Sequence, residues 1–202
     1  SVLGKHEEAE YYSEISAAVR EAVRTKYVQA DGTLTVHTQT AYALGICFQI
    51  FEESEMKMAA GHLKELLQNN NNHLSTGFVG TAYLCRALSQ VGLTSMAYDL
   101  LFNEDYPGWL YEVNLGATTI WERWNSLLED GSISSTGMNS LNHYAYGVIM
   151  EWIYRMVCGL NPLEEAPGFR KVRIAPQPDR RLQFARAEYE SVYGTYRVEW
   201  QW

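Results

Sequence analysis

The feature that most constrains the fold is a helical repeat of apolar residues that recurs, segment after segment, through the first hundred residues. From Glu7 to about Tyr27, apolar side chains return every three or four positions, as one face of an amphipathic helix requires. A turn at Asp31 interrupts the repeat, which then resumes four more times and predicts helical hairpins joined by loops. These further helices are expected at 38–51, 54–67, 77–92 and 93–104. The expected caps are residues with a hydroxyl oxygen, namely Thr38 or Thr40, and Ser54.

The sequence pattern changes three times after residue 104. Residues 105–140 are rich in aromatic residues, Gly, Ser, Thr and Asn, and this composition predicts structured loops with short strands. A helical period returns over residues 141–157, and a Gly and a Pro then stop it. Beyond Pro167, apolar and polar residues alternate in three runs, as in half-buried antiparallel strands. We therefore divide the chain into a helical part, residues 1–165, and a β portion, residues 166–202.

Net charge limits the classes of binding partner, and cysteine spacing predicts the state of the thiols. The formal net charge is -8 and the 16 Lys and Arg residues are scattered, so the attraction that dominates binding to phosphate backbones is missing. We expect neither nucleic acid nor an anionic membrane as a partner. No apolar run approaches the roughly 20 residues that span a bilayer. Cys47, Cys85 and Cys158 lie far apart, which predicts buried free thiols; this fits a reducing compartment such as the cytoplasm without establishing one.

Several kinds of site are absent from the sequence. It has no phosphate-binding glycine loop, no G-x-S-x-G or H-E-x-x-H motif, and no cluster of His and carboxylates with metal-ligand spacing. The sequence therefore indicates neither a cofactor nor a metal.

The loop at residues 105–140 is where chemistry is expected, because carboxylates there alternate with Trp and Tyr. A pyranose presents apolar C–H patches to aromatic rings and hydroxyls to amides and carboxylates, and cleaving its glycosidic bond needs a pair of carboxyl groups. The loop composition alone is more typical of aromatic cover for a core than of a carbohydrate site.

Longer strings favour a sugar site over core cover. "YPGWLYEVNLGATTIWERW" at 106–124, followed by "MNSLNHYAYG" at 138–147, closely resembles the late part of the catalytic domain of bacterial α-L-rhamnosidases. "TQTAYALGI", "HLSTGFVGTAYL" and "EWIYRMVCGLNP" resemble the same family in the same order. The resemblance implies a mainly α chain with a C-terminal β portion: about half of an (α/α)6 toroid, followed by a fragment of an antiparallel β-sandwich.

The resemblance also implies roles for individual residues. Glu122 in "WERW" matches the general base that activates water for attack with inversion, and His143 in "NHYAYG" matches a histidine that contacts the sugar. Asn142 and the neighbouring Asn139 are expected either to cap the following helix or to contact a sugar hydroxyl. Arg123 is expected to form a salt bridge. The other side chains expected to contact the sugar or line its opening are aromatic or acidic: Trp109, Tyr111, Glu112 and Trp124.

One half of the catalytic pair is missing from the chain. An inverting glycosidase also needs a general acid, and nothing in residues 1–100 corresponds to the family's acidic segment with Arg and Trp. We therefore expect a C-terminal fragment with little activity of its own, strand-like up to Trp202, that self-associates through exposed faces of the half-toroid. The alternatives are a carbohydrate-binding or helical scaffold module without catalysis, and another (α/α)6 glycosidase. The aglycone and linkage are not specified by the sequence.

Overall fold

Five helices form the first half of the molecule, and they confirm the five helical segments predicted from the apolar repeat. The computed structural model describes residues 2–202. Helix α2 packs on both α3 and α4, and α4 packs on α5, which places the core between these four helices. The five helices are α1 His6–Tyr27, α2 Gln39–Cys47, α3 Glu53–Asn69, α4 Phe78–Gln90 and α5 Thr94–Phe102.

The beginnings of two helices show how well cap residues can be read from sequence. Thr38 caps α2, and its side-chain oxygen accepts the backbone N–H of Ala41 at 3.2 Å. The expected cap of α3, Ser54, is wrong, because Glu52 precedes the first helical residue and Ser54 lies inside the helix. The Glu55 carboxylate reaches back and accepts the Glu52 backbone N–H at 2.7 Å, which is half of a capping box.

The core of this half consists of side chains that α2, α3, α4 and α5 direct at one another. Tyr42, Leu63, Leu88 and Tyr98 are among its fully buried members. Trp152, from the later helical segment, packs edge-to-face on Tyr98 and donates its indole N–H to Ser89 Oγ at 2.8 Å. The later segment therefore closes the core formed by α2 to α5.

Helix α1 lies outside this core and has no buried residue. Arg24 anchors its C-terminal end, where Nη1 lies 2.8 Å from Glu55 Oε2 of α3. Further toward the N-terminus, Tyr12, Ile15 and Val19 form an exposed apolar stripe on one face of α1. No helix among residues 2–202 combines the length and apolar character needed to cross a bilayer.

The apolar stripe of α1 gives the self-association prediction a direct test. Uncovered apolar surface favours association, so we expect Val19→Glu to shift the 202-residue chain from dimers or larger species toward monomers. Light scattering after size-exclusion chromatography measures this, with Ala17→Glu on the opposite face of α1 as the matched control. A chain that is monomeric at every concentration, without either substitution, would contradict the prediction.

The helix predicted over residues 141–157 is shorter and less regular than its apolar period suggests. A 3₁₀ turn at Ala145–Val148 leads into α7 Ile149–Trp152, and a π-helical turn follows at Ile153–Val157. The helical conformation cannot begin at 141 because residues 140–143 bond instead to residues 120–122. A short helix, α6 Trp109–Asn114, lies within the segment that was expected to contain only loops and short strands.

The C-terminal portion contains two small antiparallel sheets instead of the single three-stranded sheet suggested by the alternation. Strand β1 Leu160–Pro162 pairs with β2 Val172–Ile174, and β3 Phe184–Ser191 pairs with β4 Gly194–Gln201. The three-residue β1 was not predicted. Because β1 lies before residue 166 and β2 lies after it, their pairing crosses the proposed division of the chain. The division itself stays a prediction.

Specific polar contacts hold the β portion against the helices. Trp200 of β4 donates its indole N–H to the Val157 carbonyl at 2.8 Å, and Tyr98 of α5 donates its hydroxyl to the Gln177 carbonyl at 2.8 Å. At the junction, Gly159 has φ +77°, and a Cβ there would lie 2.1 Å from the backbone nitrogen of Pro176. Only glycine fits this close backbone approach.

Candidate functional site

The two segments that resemble the rhamnosidase catalytic domain, 106–124 and 138–147, lie side by side. The Glu122 backbone N–H donates to the Ser140 carbonyl at 2.9 Å, and the His143 N–H donates to the Ile120 carbonyl at 2.8 Å. Residues 120–122 and 140–143 thus run next to each other and close the intervening loop. The geometry brings Glu122 and His143, 21 positions apart in the sequence, onto adjacent segments.

Glu122 is partly exposed, and one of its carboxylate oxygens is fixed. Oε2 accepts the Ser140 backbone N–H at 3.0 Å. Within the part of the chain that the structure describes, Oε1 accepts no hydrogen bond and no Lys, Arg or His nitrogen lies within 4.0 Å of the carboxylate. The expected salt bridge of Arg123 is also absent among residues 2–202. A carboxylate held at one oxygen and open at the other can accept a proton from a neighbouring molecule.

The ring of His143 has a defined orientation. It stacks on Phe78, with ring centroids 5.0 Å apart and planes 17° apart, and on Tyr144, at 5.2 Å and 10°. Its Nδ1 accepts the Ala145 backbone N–H at 3.3 Å, so a neutral ring carries its proton on Nε2. No hydrogen bond within residues 2–202 occupies Nε2, which leaves a donor for a hydroxyl. The stacking partner Phe78, on α4, was not identified from the sequence.

The two tryptophans expected at the sugar site belong to a buried aromatic cluster. Trp109 and Trp124 are each 6% exposed. The Trp124 ring stacks on Tyr146 at 3.8 Å, and Trp109 meets Trp124 edge-to-face at 5.2 Å. Trp109 also donates its indole N–H to the Tyr146 carbonyl at 2.9 Å. Little of either indole ring is accessible, so their contact with a sugar stays a prediction.

Tyr111 and Asn142 differ from each other in their surroundings. Tyr111 is mostly buried and packs edge-to-face on the exposed Tyr106, and both line an open groove of about 490 Å³ together with Glu129. Asn142 is exposed, and only its backbone takes part in hydrogen bonds, with Ser140 Oγ. It caps no helix, and neither does Asn139, whose amide donates to the Ser134 carbonyl.

Glu112, which the sequence left without a clear role, is the most unusual carboxyl group of the site. It lies on α6 and is 2% exposed. Its Oε2 accepts the Trp121 backbone N–H at 3.4 Å, while its Oε1 is buried without a hydrogen-bond partner. Burial raises the pKa of Glu112 to about 8, and the Trp121 N–H opposes this only in part. No sequence pattern could have revealed this, because it depends on burial in the folded chain.

The remaining reactive side chains do not form a metal centre. Among residues 2–202, no group of three or more His, Cys, Asp or Glu residues is placed to hold a metal ion. All three cysteines are free thiols, and burial raises the pKa of Cys47 to about 11 and that of Cys85 to about 12. These thiols are therefore protonated near neutral pH.

Comparison with known proteins identifies the family. A sequence profile described as the bacterial α-L-rhamnosidase 6 hairpin glycosidase domain matches residues 1–157. The chain belongs to the bacterial α-L-rhamnosidase family. The α-L-rhamnosidase C-terminal domain profile matches residues 159–202, so the two rhamnosidase profiles meet at Cys158.

Individual α-L-rhamnosidases match along nearly the whole chain. One from Alteromonas sp. (strain LOR) is 41% identical over 98% of this chain and 22% of its own length. The crystal structure of the Aspergillus terreus enzyme superposes with a TM-score of 0.93 at 35% identity, over 99% of this chain and 23% of that one. The Streptomyces avermitilis enzyme complexed with L-rhamnose gives 0.90 at 39%, over 96% and 19%. The chain thus spans about a fifth of the length of these rhamnosidases.

Proposed function

We propose that this chain is the C-terminal part of an enzyme that hydrolyses terminal α-L-rhamnosyl linkages with inversion, and that Glu122 is its general base. The chain would supply about half of an (α/α)6 toroid and the first strands of a β-sandwich. The observation that carries the proposal is the Glu122 carboxylate, anchored at one oxygen by Ser140 N–H and open at the other. Membership of the family, and a relative complexed with L-rhamnose, support a rhamnose-containing glycoside as the substrate.

The proposed step needs two carboxyl groups on opposite faces of the sugar. Glu122 takes a proton from water as the water oxygen forms a bond to the anomeric carbon. The bond from that carbon to the leaving oxygen breaks at the same time, and a general acid in the part of the protein outside this chain protonates that oxygen. The acid and base of inverting enzymes are roughly 6.5 to 9.5 Å apart, which leaves room for the water.

The stereochemistry of the first product tests this reaction. With the full-length protein and an aryl α-L-rhamnoside, we expect β-L-rhamnose to appear first in a proton NMR time course, before mutarotation. The α anomer as the first product would overturn the inverting mechanism. Binding of the glycoside without any turnover would instead favour a carbohydrate-binding module.

His143 is proposed to contact the sugar through its free Nε2–H. Because a hydrogen bond of this kind contributes about 0.5–1.5 kcal/mol, His143→Ala should lower kcat/KM up to about tenfold. Steady-state kinetics of the full-length protein measure the effect. His6→Ala, an exposed histidine at the start of α1, is the matched control. An unchanged kcat/KM for His143→Ala would remove this contact from the proposal.

A further inference from the structure

Glu112 contacts the segment that carries the proposed base. Its Oε2 accepts the backbone N–H of Trp121, the residue immediately before Glu122, at 3.4 Å. Its own carbonyl accepts the Ala117 N–H at 3.0 Å, which closes the turn after α6. One residue therefore holds both the turn that leads to the Glu122 segment and that segment itself. Trp121 is 2% exposed, so the backbone there has little freedom to compensate if Glu112 moves.

The surroundings of Glu112 favour an uncharged carboxyl. No Lys, Arg or His nitrogen of residues 2–202 lies within 4.0 Å of it, and Oε1 has no partner. Glu112 in turn acts on Tyr146 of the 3₁₀ turn, whose pKa is raised first by burial and then by the Glu112 charge. Tyr106 and Arg123 also act on Tyr146, in opposite directions. A carboxylate formed at this position would be buried and unpaired, which costs far more than burying the neutral acid.

We propose that Glu112 is a positioning residue: in its neutral form it holds the Trp121 backbone and thereby the Glu122 carboxylate, and its ionisation releases that hold. This inference rests on the proposed function of Glu122. Ionisation creates a charge that the Trp121 N–H favours, but this hydrogen bond does not offset the cost of burial, so the carboxylate turns toward water. That turn breaks the contact with Trp121 N–H. A displacement of about 1 Å at a reacting group costs on the order of 10²-fold in rate.

The experiment compares Glu112→Leu and Glu112→Gln in the full-length protein. Leu fills the space but cannot accept the Trp121 N–H, so kcat should fall at least about tenfold with little change in KM. Gln keeps an oxygen acceptor and cannot ionise, so it should restore most of kcat. The substrate is α-L-rhamnosyl fluoride, because a fluoride leaving group needs no general acid. Any fall of kcat at alkaline pH then cannot come from deprotonation of the general acid. On this substrate kcat of the unsubstituted enzyme should fall as pH rises through about 8, and Glu112→Gln should not show that fall.

The outcomes separate this inference from the proposed function. If Glu112→Gln has the same alkaline limb as the unsubstituted enzyme, or if Glu112→Leu keeps its kcat, Glu112 does not position the base. If Glu122→Gln itself leaves turnover unchanged, the proposed function fails first, whatever the Glu112 variants do. Circular dichroism of each variant establishes folding, and should Leu not fold, the pH profile of Gln decides alone. A protonated-carboxyl infrared band that disappears near pH 8, and is missing in Glu112→Gln, would support the inference independently.

Discussion

Replacing Glu122 by Gln in the full-length protein is expected to lower kcat for an aryl α-L-rhamnoside by about 10²- to 10⁴-fold, the usual contribution of a general base. The amide keeps the size and one oxygen of the carboxylate but cannot take a proton from water. The Ser140 N–H can still donate to that oxygen, so the fold should be retained. Because the substitution affects the chemical step, KM should change much less than kcat.

The matched control is Glu165→Gln, which removes an exposed carboxylate without a salt bridge in the described part of the chain. It should leave kcat unchanged. Chemical rescue provides a second test: in Glu122→Ala, azide needs no deprotonation and can attack the anomeric carbon of rhamnosyl fluoride, giving the β-rhamnosyl azide. Full turnover by Glu122→Gln, or rescue that yields the α azide, would remove Glu122 from the role of base.

The sequence predicts the helical half of this fold well because its signals there are local. Apolar spacing locates α1 to α5, and the hydroxyl of Thr38 marks the start of α2. The prediction from apolar spacing fails at 141–157, where residues 140–143 form hydrogen bonds with residues 120–122 instead of starting a helix. That pairing is a tertiary contact, and no local propensity encodes it. Residue type favours Ser54 as the cap, whereas in the structure the Glu55 carboxylate accepts the Glu52 N–H at the start of α3.

For the site, sequence identified the residues but not their surroundings. Glu122 and His143 were found through strings that resemble a family, and the structure places them on paired segments. Their roles stay predictions. Trp109 and Trp124 are expected to contact a sugar, and the structure packs both with Tyr146 in the interior, which leaves that contact a prediction. An aromatic residue in a loop packs in a core as readily as it lines a pocket, and only the folded structure distinguishes the two.

The buried carboxyl of Glu112 should also make the stability of the chain depend on pH. Its pKa is about 8 in the folded state against 4.5 for an ordinary Glu. Below pH 4.5 both states are protonated, so this contribution to stability is fully present there. Between 4.5 and 8 the unfolded chain ionises while the folded one stays protonated, so the free energy of unfolding falls as pH rises. At ~1.36 kcal/mol per pH unit, the loss over this window is ~5 kcal/mol.

Glu112→Gln removes this dependence because an amide does not titrate. The test is urea unfolding of the 202-residue chain, followed by tryptophan fluorescence from pH 4 to 9. The free energy of unfolding of the variant, relative to that of the unsubstituted chain, should rise up to about pH 8 and then level off. A buried amide N–H without a partner can destabilise the variant by about 1–3 kcal/mol, but equally at every pH. The test therefore depends on how the difference in unfolding free energy between the two proteins changes with pH. Parallel curves for the two proteins would mean that Glu112 is ionised in the folded state at neutral pH, and the positioning role would then lose its physical basis.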